Sequence, residues 1–265
     1  AAGVIGSADG TGAAASFYFP EGVAADIVGN VYVADTSNNS IRKISPTGEV
    51  MTLAGRAGAY GNVDGTGAAA SFFYPYSVAV DKAGHIYVAN TLVSTIRKIT
   101  PAGAVSTIAG SAGTLGSADG VGSDASFKSP YGIAVNTVGS VIYVADTNNH
   151  IIRKVTSNGV VTTLAGKAGV SGSDDGIGGM ARFNTPYGIA IDSAGNAYVA
   201  DSGNSTIRKI TPTGVVSTIV GVAGVHGFVQ GALPGVLNSP IGVALHGNFL
   251  YISMPNGVAK VINRP

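Results

Sequence analysis

Residues 76–110 read YSVAVDKAGHIYVANTLVSTIRKITPAGAVSTIAG, and this stretch decides the fold. It holds four short runs rich in β-branched and aromatic residues, at 77–80, 86–89, 95–99 and 105–109. Turn-forming residues separate them, since Asp81-Lys82-Ala83-Gly84 joins the first two runs and Pro101-Ala102-Gly103 joins the last two. This arrangement predicts four antiparallel strands connected by hairpins.

The same unit recurs along the whole chain. Five prolines mark it, and by subtraction of their residue numbers they lie 55, 55, 56 and 54 residues apart: Pro20, Pro75, Pro130, Pro186 and Pro240. Tyr-Val-Ala followed by Asp or Asn recurs at 32–35, 87–90, 143–146 and 198–201, and Ile-Arg-Lys recurs at 41–43, 96–98, 152–154 and 207–209. The fifth copy keeps only Tyr251-Ile252-Ser253 and a degraded Val258-Ala259-Lys260.

Tandem four-stranded sheets predict an all-β chain folded as a β-propeller. A lone sheet that is apolar on both faces cannot bury them, whereas a ring of sheets buries each against its neighbours. We therefore expect one propeller domain over residues 1–265, with repeats at about 1–55, 56–110, 111–166, 167–221 and 222–265. In the first copy the strands should fall near 22–26, 30–34, 40–45 and 49–54.

The repeat resembles the NHL repeat over essentially the whole chain. The motifs that carry the resemblance are Pro-x-Gly-Ile-Ala-Ile-Asp, Gly-Asn-x-Tyr-Val-Ala-Asp and Ile-Arg-Lys-Ile-Thr-Pro-x-Gly, as they stand at 186–192, 195–201 and 207–214. The resemblance implies a propeller, commonly six-bladed, that serves most often as a binding or sensing surface and less often as a lyase or hydrolase scaffold. With five copies we expect five blades, or six if one is supplied from outside this chain.

Composition narrows the classes of partner. Lys+Arg 15 against Asp+Glu 14 leaves a formal net charge of +1, so no global field attracts nucleic acid. No apolar run reaches the length of about 18 residues that a membrane helix needs, so we expect no membrane insertion. The absence of cysteine excludes disulfides and thiolate metal sites. Low charge with many Ser, Thr, Gly and Asn residues favours a secreted, extracellular or periplasmic protein, and no motif indicates a cofactor.

The acids repeated in the Gly-rich segments between copies have a structural interpretation. One carboxylate in each segment is too few for calcium, which takes about six to eight oxygens. We expect each acid to belong to a capped helical turn whose following Phe packs between blades. These acids are Asp9, Asp64, Asp119 and Asp175.

Two further sets of polar residues also recur in phase. The residues that follow the first strand could ring the channel as metal ligands, but an acid there more often closes a hairpin. This set is Asp26, Asp81, Asn136, Asp192 and His246. In the other set an Asp precedes an Arg by seven residues, and we expect each pair to pin the turn after the second strand. These pairs are Asp35 with Arg42, Asp146 with Arg153, and Asp201 with Arg208.

The residue after each marker proline is the candidate for ligand or partner binding. It lies where the chain turns into the innermost strand, beside the mouth of the channel. This set is Glu21, Tyr76, Tyr131, Tyr187 and Ile241. Three tyrosines on one rim would offer flat apolar surface with polar tips, as binding hot spots do, although packing at the top of the channel would use the same residues.

Three functions stay open at this point. The first is a non-catalytic binding or scaffold protein whose propeller face holds a protein, peptide or glycan. The second is a lyase or lactonase-type hydrolase with a metal in the channel, although no Gly-x-Ser-x-Gly elbow or phosphate loop is present and no catalytic residue is assigned. The third is a structural subunit of an extracellular assembly, in which the last copy, which ends after its third strand, pairs its edge with another chain and so self-associates.

Overall fold

The computed structural model describes residues 3–227, 229 and 234–262. It is a five-bladed β-propeller whose blades follow the five sequence repeats. Blade I consists of β1 (Gly10–Thr11), β2 (Pro20–Ala25), β3 (Val31–Asp35), β4 (Ser40–Ile44) and β5 (Glu49–Gly55). Blade II consists of β6 (Gly65–Thr66), β7 (Pro75–Val80), β8 (Ile86–Asn90), β9 (Thr95–Ile99) and β10 (Ala104–Ala109).

The later blades repeat this order. Blade III consists of β11 (Gly120–Val121), β12 (Pro130–Val135), β13 (Val141–Asp146), β14 (Ile151–Thr156) and β15 (Val160–Ala165). Blade IV consists of β16 (Gly176–Ile177), β17 (Pro186–Ile191), β18 (Ala197–Asp201), β19 (Thr206–Ile210) and β20 (Val215–Val220). Blade V consists of β21 (Gly242–His246), β22 (Phe249–Met254) and β23 (Gly257–Ile262).

Four antiparallel strands form each of the first four blades, as the sequence predicted, and a two-residue strand adds to the outer edge. The order in blade I is β1-β5-β4-β3-β2, so β2 is the innermost strand. The Gly-rich segment that precedes β2 contributes β1, which pairs with the outer strand β5. The added strand was not predicted because Gly10-Thr11 carries no β-rich pattern. The strand bounds predicted for the first copy are correct to within two residues.

The turns explain why the chain reverses where it does. Between β7 and β8, Gly84 has a φ of 81°, which a side chain would oppose, and Asp81 accepts a hydrogen bond from the backbone N–H of His85 at 2.9 Å. Single-turn 3₁₀ helices separate β3 from β4 in blade I and the equivalent two strands in blades II to IV, at Thr36–Asn38, Thr91–Val93, Thr147–Asn149 and Ser202–Asn204. Others follow the added strands at Gly12–Ala14, Gly67–Ala69, Gly122–Asp124 and Gly178–Met180.

The hydrophobic core lies between blades. Because side chains alternate along a strand, each central strand packs one set against the next blade and the other against the preceding blade. We call these the front and back faces of the blade. Between blades II and III, Tyr87 and Ala89 on the front face meet Ile142 and Val144 on the back face, and all four are buried.

A phenylalanine closes each of the first three junctions between blades, as the sequence predicted, and Leu237 lies in the core between blades IV and V. Phe127 lies in the core between blades II and III, and its side chain is fully buried, as are those of Phe72 and Phe183. The preceding 3₁₀ turn is present, but Asp9, Asp64, Asp119 and Asp175 make no capping bond to it. Their carboxylates accept hydrogen bonds instead from Arg42 in β4 and from the equivalent Arg97, Arg153 and Arg208, as described below.

Candidate functional site

The five residues predicted from the sequence meet at one mouth of the channel. In blades I to IV a β-bulge follows the proline of the innermost strand: in blade I, Pro20 pairs with Asp35 and Val23 pairs with Val33. Glu21 and Gly22 therefore share one residue's space on the partner strand, which re-aims the residue after the proline. The same shift occurs in β7, β12 and β17, and Ile241 stands directly before β21.

The three tyrosine rings touch one another. The ring centroids of Tyr76 and Tyr131 are 4.5 Å apart at an interplanar angle of 78°, and those of Tyr131 and Tyr187 are 4.7 Å apart at 33°. Tyr76 and Tyr187 are 6.1 Å apart at 73°. Edge-to-face and tilted contacts at these distances are favourable, so the rings support one another as a fixed aromatic cluster.

Glu21 takes the place that tyrosine holds in the next three blades. Its carboxylate forms a hydrogen bond with the phenol of Tyr76. Burial raises the pKa of Glu21, and the bond from Tyr76 offsets part of that rise. The pKa of Tyr76 is raised by burial and by the charges of Glu21 and the neighbouring tyrosines, so its hydroxyl stays protonated and can donate.

The aromatic cluster lines a cavity of about 370 Å³. Among the described residues that line it, Glu21 is the one charged side chain, and the remainder is Gly, Ser, Tyr and aliphatic. Tyr251, Ser253 and Val23 also line the cavity and were missed. In the sequence these three residues occupy ordinary strand positions, so the strand pattern did not set them apart. For Tyr251 and Ser253, the degraded fifth repeat was the one sign that the front face of blade V differs from those of the other blades.

The opposite mouth holds the acids considered above as metal ligands. Asp192 accepts hydrogen bonds from the backbone N–H groups of Ala194 and Asn196 and from the side chains of Asn196 and Tyr198. Asp26 has the same set of partners in blade I, and Asp81 bonds His85 and Tyr87. These carboxylates close hairpins, as predicted. The described part of the chain contains no cluster of three His, Cys, Asp or Glu side chains suited to a metal ion.

The three Asp–Arg pairs are buried and hold blades I, III and IV to the loops that precede them. In blade IV the Arg208 guanidinium donates to Asp201 Oδ2 at 2.9 Å and to Asp175 Oδ1 at 2.7 Å. It also donates to the carbonyls of Arg182 and Asp174, at 2.8 Å each. The prediction that Asp201 anchors Arg208 is correct. The role of the loop acid Asp175, which also accepts from Thr218, was missed because its partner lies 33 residues away.

Comparison with known proteins supports the same family. The family model described as "NHL repeat" matches residues 17–44 and 183–210. Protein SUPPRESSOR OF QUENCHING 1, chloroplastic, of Arabidopsis thaliana is 29% identical over 262 residues, which cover 93% of this chain and 25% of that protein. NHL repeat-containing protein 2 of Homo sapiens is 32% identical over 132 residues, which cover 46% of this chain and 18% of that protein. The chain thus spans a quarter or less of these relatives.

Solved structures share the fold. The structure entitled "Crystal structure of Nidogen/Laminin Complex" matches with a TM-score of 0.65 at 19% identity, over 92% of this chain and 76% of that one. A streptogramin B lyase structure matches with a TM-score of 0.57 at 16% identity, over 93% of this chain and 70% of that one. At such identities the likeness concerns the fold alone. The repeat-model matches and the curated relatives, together with the five blades described above, support an NHL-repeat β-propeller.

Proposed function

We propose that this chain is a non-catalytic binding module whose channel mouth holds a protein or peptide ligand through a positively charged side chain. The observation that carries the proposal is the convergence of three tyrosines and one glutamate on one cavity of about 370 Å³. Glycans also bind aromatic surfaces and remain an outcome of the test below. We propose in addition that the protein is secreted, extracellular or periplasmic, as its low charge favours.

The charge of the lining favours a cation. Glu21 contributes a carboxylate, and no Lys or Arg among the described lining residues neutralises it. Tyrosine ring faces attract ammonium and guanidinium groups, by about 0.5–2 kcal/mol depending on how far the cation is desolvated. The aliphatic lining, which includes Val23 and Ile241, would take the stem of a Lys or Arg side chain.

The test is a titration of the chain with N-acetyl-arginine methylamide and its neutral counterpart N-acetyl-norleucine methylamide, followed by amide NMR shifts. We expect the arginine probe to shift the amides of Gly22, Gly132 and Gly188, which line the mouth, and the norleucine probe to leave them unchanged. Glu21→Gln should weaken arginine binding up to about fivefold, because a partly exposed ion pair contributes about 0.2–1 kcal/mol.

Replacing the three tyrosines separates binding from stability. Tyr76→Ala, Tyr131→Ala and Tyr187→Ala together should abolish the shifts while the melting temperature changes by only a few degrees. Lys82→Ala at the opposite mouth is the matched control and should leave the shifts intact. Equal shifts with both probes would show that charge does not select the ligand. A large loss of stability in the triple variant would identify the tyrosines as core, and a response to a neutral oligosaccharide alone would favour a glycan.

A specific observation also supports the assembly function as a second candidate. Strand β23 is the outer strand of blade V in the described residues, and Val258 and Ile262 on it are 68% and 56% exposed. Such an edge is a template for another strand. Light scattering across a wide concentration range tests self-association, and a strict monomer with exchange-protected amides at 258–262 would contradict it. The enzyme alternative has no comparable observation among the described residues.

A further inference from the structure

Blade II carries a group of apolar side chains at the same end of the propeller as the mouth cavity. Tyr60, Tyr74 and Leu92 are 70%, 37% and 50% exposed, and Phe73 is partly exposed. The rings of Tyr60 and Phe73 pack with their centroids 5.0 Å apart, and the backbone N–H of Leu92 donates to the carbonyl of Phe73 at 3.3 Å. We call these four residues the blade II shelf.

The shelf adjoins the aromatic cluster of the mouth. Tyr74 is separated from Tyr76 by Pro75 alone, so the Cα atoms of the two tyrosines lie no more than about 7 Å apart. Leu92 belongs to the 3₁₀ turn whose first residue, Thr91, donates its backbone N–H to the Tyr74 carbonyl at 3.3 Å. One ligand can therefore contact the shelf and the mouth together.

The fold does not require apolar residues on the shelf. In place of Phe73, Tyr74 and Leu92, blade III has Lys128, Ser129 and Asn148, and blade IV has Asn184, Thr185 and Gly203. The backbone is nevertheless the same, because the residue before the proline has a φ of 58°, 51° and 47° in blades II, III and IV. The hydrogen bond from the 3₁₀ turn to the residue two before the proline also recurs, at 3.3, 3.2 and 2.9 Å. Tyr60 stands outside this comparison because blade III has Leu115 in its place.

Blade II keeps the hydrogen bonds beneath its apolar turn by other means. In blades I, III and IV the last residue of the turn is an Asn that donates to the Asp at the end of β3 or its equivalent, whereas blade II has Val93 there. Asn62 compensates, because its amide oxygen accepts hydrogen bonds from Asn90, Thr95 and Arg97 at 3.0, 2.6 and 3.2 Å. The blade thus stays internally bonded while its turn presents Leu92 to solvent.

Blade I continues the apolar surface. Tyr18 and Phe19 stand where the shelf has its two adjacent aromatic residues, and their ring centroids are 5.4 Å apart. The 3₁₀ turn of blade I joins the two sets, because the Ser37 N–H donates to the Tyr18 carbonyl at 3.1 Å and the Asn39 side chain accepts from the Tyr74 N–H at 2.8 Å. The apolar side of the mouth therefore lies over blades I and II.

The chemistry of this surface limits what can cover it. The shelf has no charged side chain, and the one charged side chain that lines the mouth among the described residues is the carboxylate of Glu21. An apolar group beside a cation complements both surfaces, whereas an anionic membrane would meet the carboxylate. The phenols of Tyr60 and Tyr74 make no hydrogen bond within the described part of the chain, so they can bond the peptide groups of a ligand.

We propose that the ligand is a peptide segment in which an aromatic or large aliphatic side chain lies two residues from the Lys or Arg that enters the mouth. The apolar side chain covers the shelf, and the cation meets Glu21 and the tyrosine rings. The spacing follows from the short path between Tyr74 and Tyr76, which an extended peptide matches with about two residues. The cation in this inference rests on the function proposed above, and the apolar residue rests on the comparison between blades.

The test compares tripeptide probes in the same amide NMR titration. Acetyl-Phe-Gly-Arg methylamide and acetyl-Arg-Gly-Phe methylamide cover both chain directions, and each has a reference in which Ala replaces Phe. We expect at least one Phe probe to bind about tenfold tighter than its reference, because it buries an apolar side chain on the shelf. That probe should also shift the amides of Leu92 and Ser94, which the reference leaves unchanged.

Substitutions taken from blade III assign the preference to the shelf. Tyr74→Ser with Leu92→Asn installs the residues that blade III already carries at exposed places, so the melting temperature should change by no more than a few degrees. The preference for Phe over Ala should fall from about tenfold to about one. The matched control, Ser129→Ala with Asn148→Ala on blade III, should leave the preference at about tenfold.

The outcomes separate the shelf from the mouth. Arginine probes that bind without any gain from Phe would overturn the shelf and leave the mouth in place. Acetyl-Phe-Gly-norleucine methylamide that binds as tightly as its arginine counterpart would instead contradict the cation and leave the shelf standing. Absence of binding by every probe would overturn both. Dimers of this chain that Tyr74→Ser with Leu92→Asn dissolves would make a second copy the occupant of the shelf, which also overturns the proposal.

Discussion

Arg97 in blade II and Arg208 in blade IV are both fully buried, but different residues accept their hydrogen bonds. We therefore predict that substitutions can convert the hydrogen-bond pattern of blade IV into that of blade II. In blade IV, Asp201 Oδ2 accepts from Arg208 and from Asn204 at 2.9 and 2.7 Å. In blade II the corresponding residue is Asn90, and Arg97 bonds Asn62 Oδ1 at 3.2 Å instead. Asn62 also accepts from Asn90 and Thr95 at 3.0 and 2.6 Å, so it replaces the missing carboxylate oxygen.

Asp201→Asn alone should therefore be costly. The new amide keeps the oxygen that accepts from the Asn184 N–H, but its NH₂ group faces the donors on Arg208 and Asn204. Hydrogen bonds to charged groups contribute about 1.5–3 kcal/mol each, and Arg208 keeps Asp175 as a partner. We expect the free energy of unfolding to fall by about 3 kcal/mol, which is a loss of roughly 6–12 °C in melting temperature.

Completing the exchange should restore stability. By alignment, Ser173 and Asn204 occupy the places of Asn62 and Val93, so Ser173→Asn and Asn204→Val convert blade IV to the blade II pattern. The amide oxygen that Ser173→Asn introduces would also accept from the Thr206 hydroxyl, which is buried without a partner. We expect the triple variant to recover at least half of the loss, measured by urea and thermal unfolding followed by circular dichroism at pH 7. A neutral Asp201→Asn, or a triple variant no more stable than the single one, would refute the reasoning.

Two further predictions concern the junctions and the pH dependence. Phe127→Ala should lower the free energy of unfolding by about 3–5 kcal/mol in urea titrations, because the Phe127 side chain is fully buried. Phe17→Ala, at a partly exposed site, should lower the free energy of unfolding clearly less, and equal losses would contradict this difference in burial. Burial raises the pKa of Asp146 and Asp201 to about 6, above the ordinary 3.8, so the folded chain binds protons more tightly and stability should rise as the pH falls from 7 towards 4. For Asp175, burial pushes the pKa up but hydrogen bonds from Thr218 and Arg208 hold it below 3.8, so its contribution is lost below about pH 4. A melting temperature that rises steadily from pH 4 to pH 7 would contradict the sign for Asp146 and Asp201, and the absence of any loss below about pH 4 would contradict the sign for Asp175.

Much of the fold was readable from the sequence because the information is local and repeated. The alternation in Ile86-Tyr87-Val88-Ala89 sets a strand with two buried faces, and Asp81 with Gly84 sets the hairpin before it. Five copies at one spacing then require sheets that bury one another. The candidate site was found the same way, since one position after each proline converges on the axis of any ring.

The tertiary structure alone decided what depends on neighbours distant in the chain. Asp175 is an ordinary loop acid in the sequence, and only the pairing of the next residues, β16, with β20 brings it to Arg208. Val23 and Val78 hold the same position in the same motif, yet one is exposed and the other buried, because burial depends on whether a blade stands behind them. A repeat specifies both faces of a sheet, while the contact that each face makes is a property of the assembled ring.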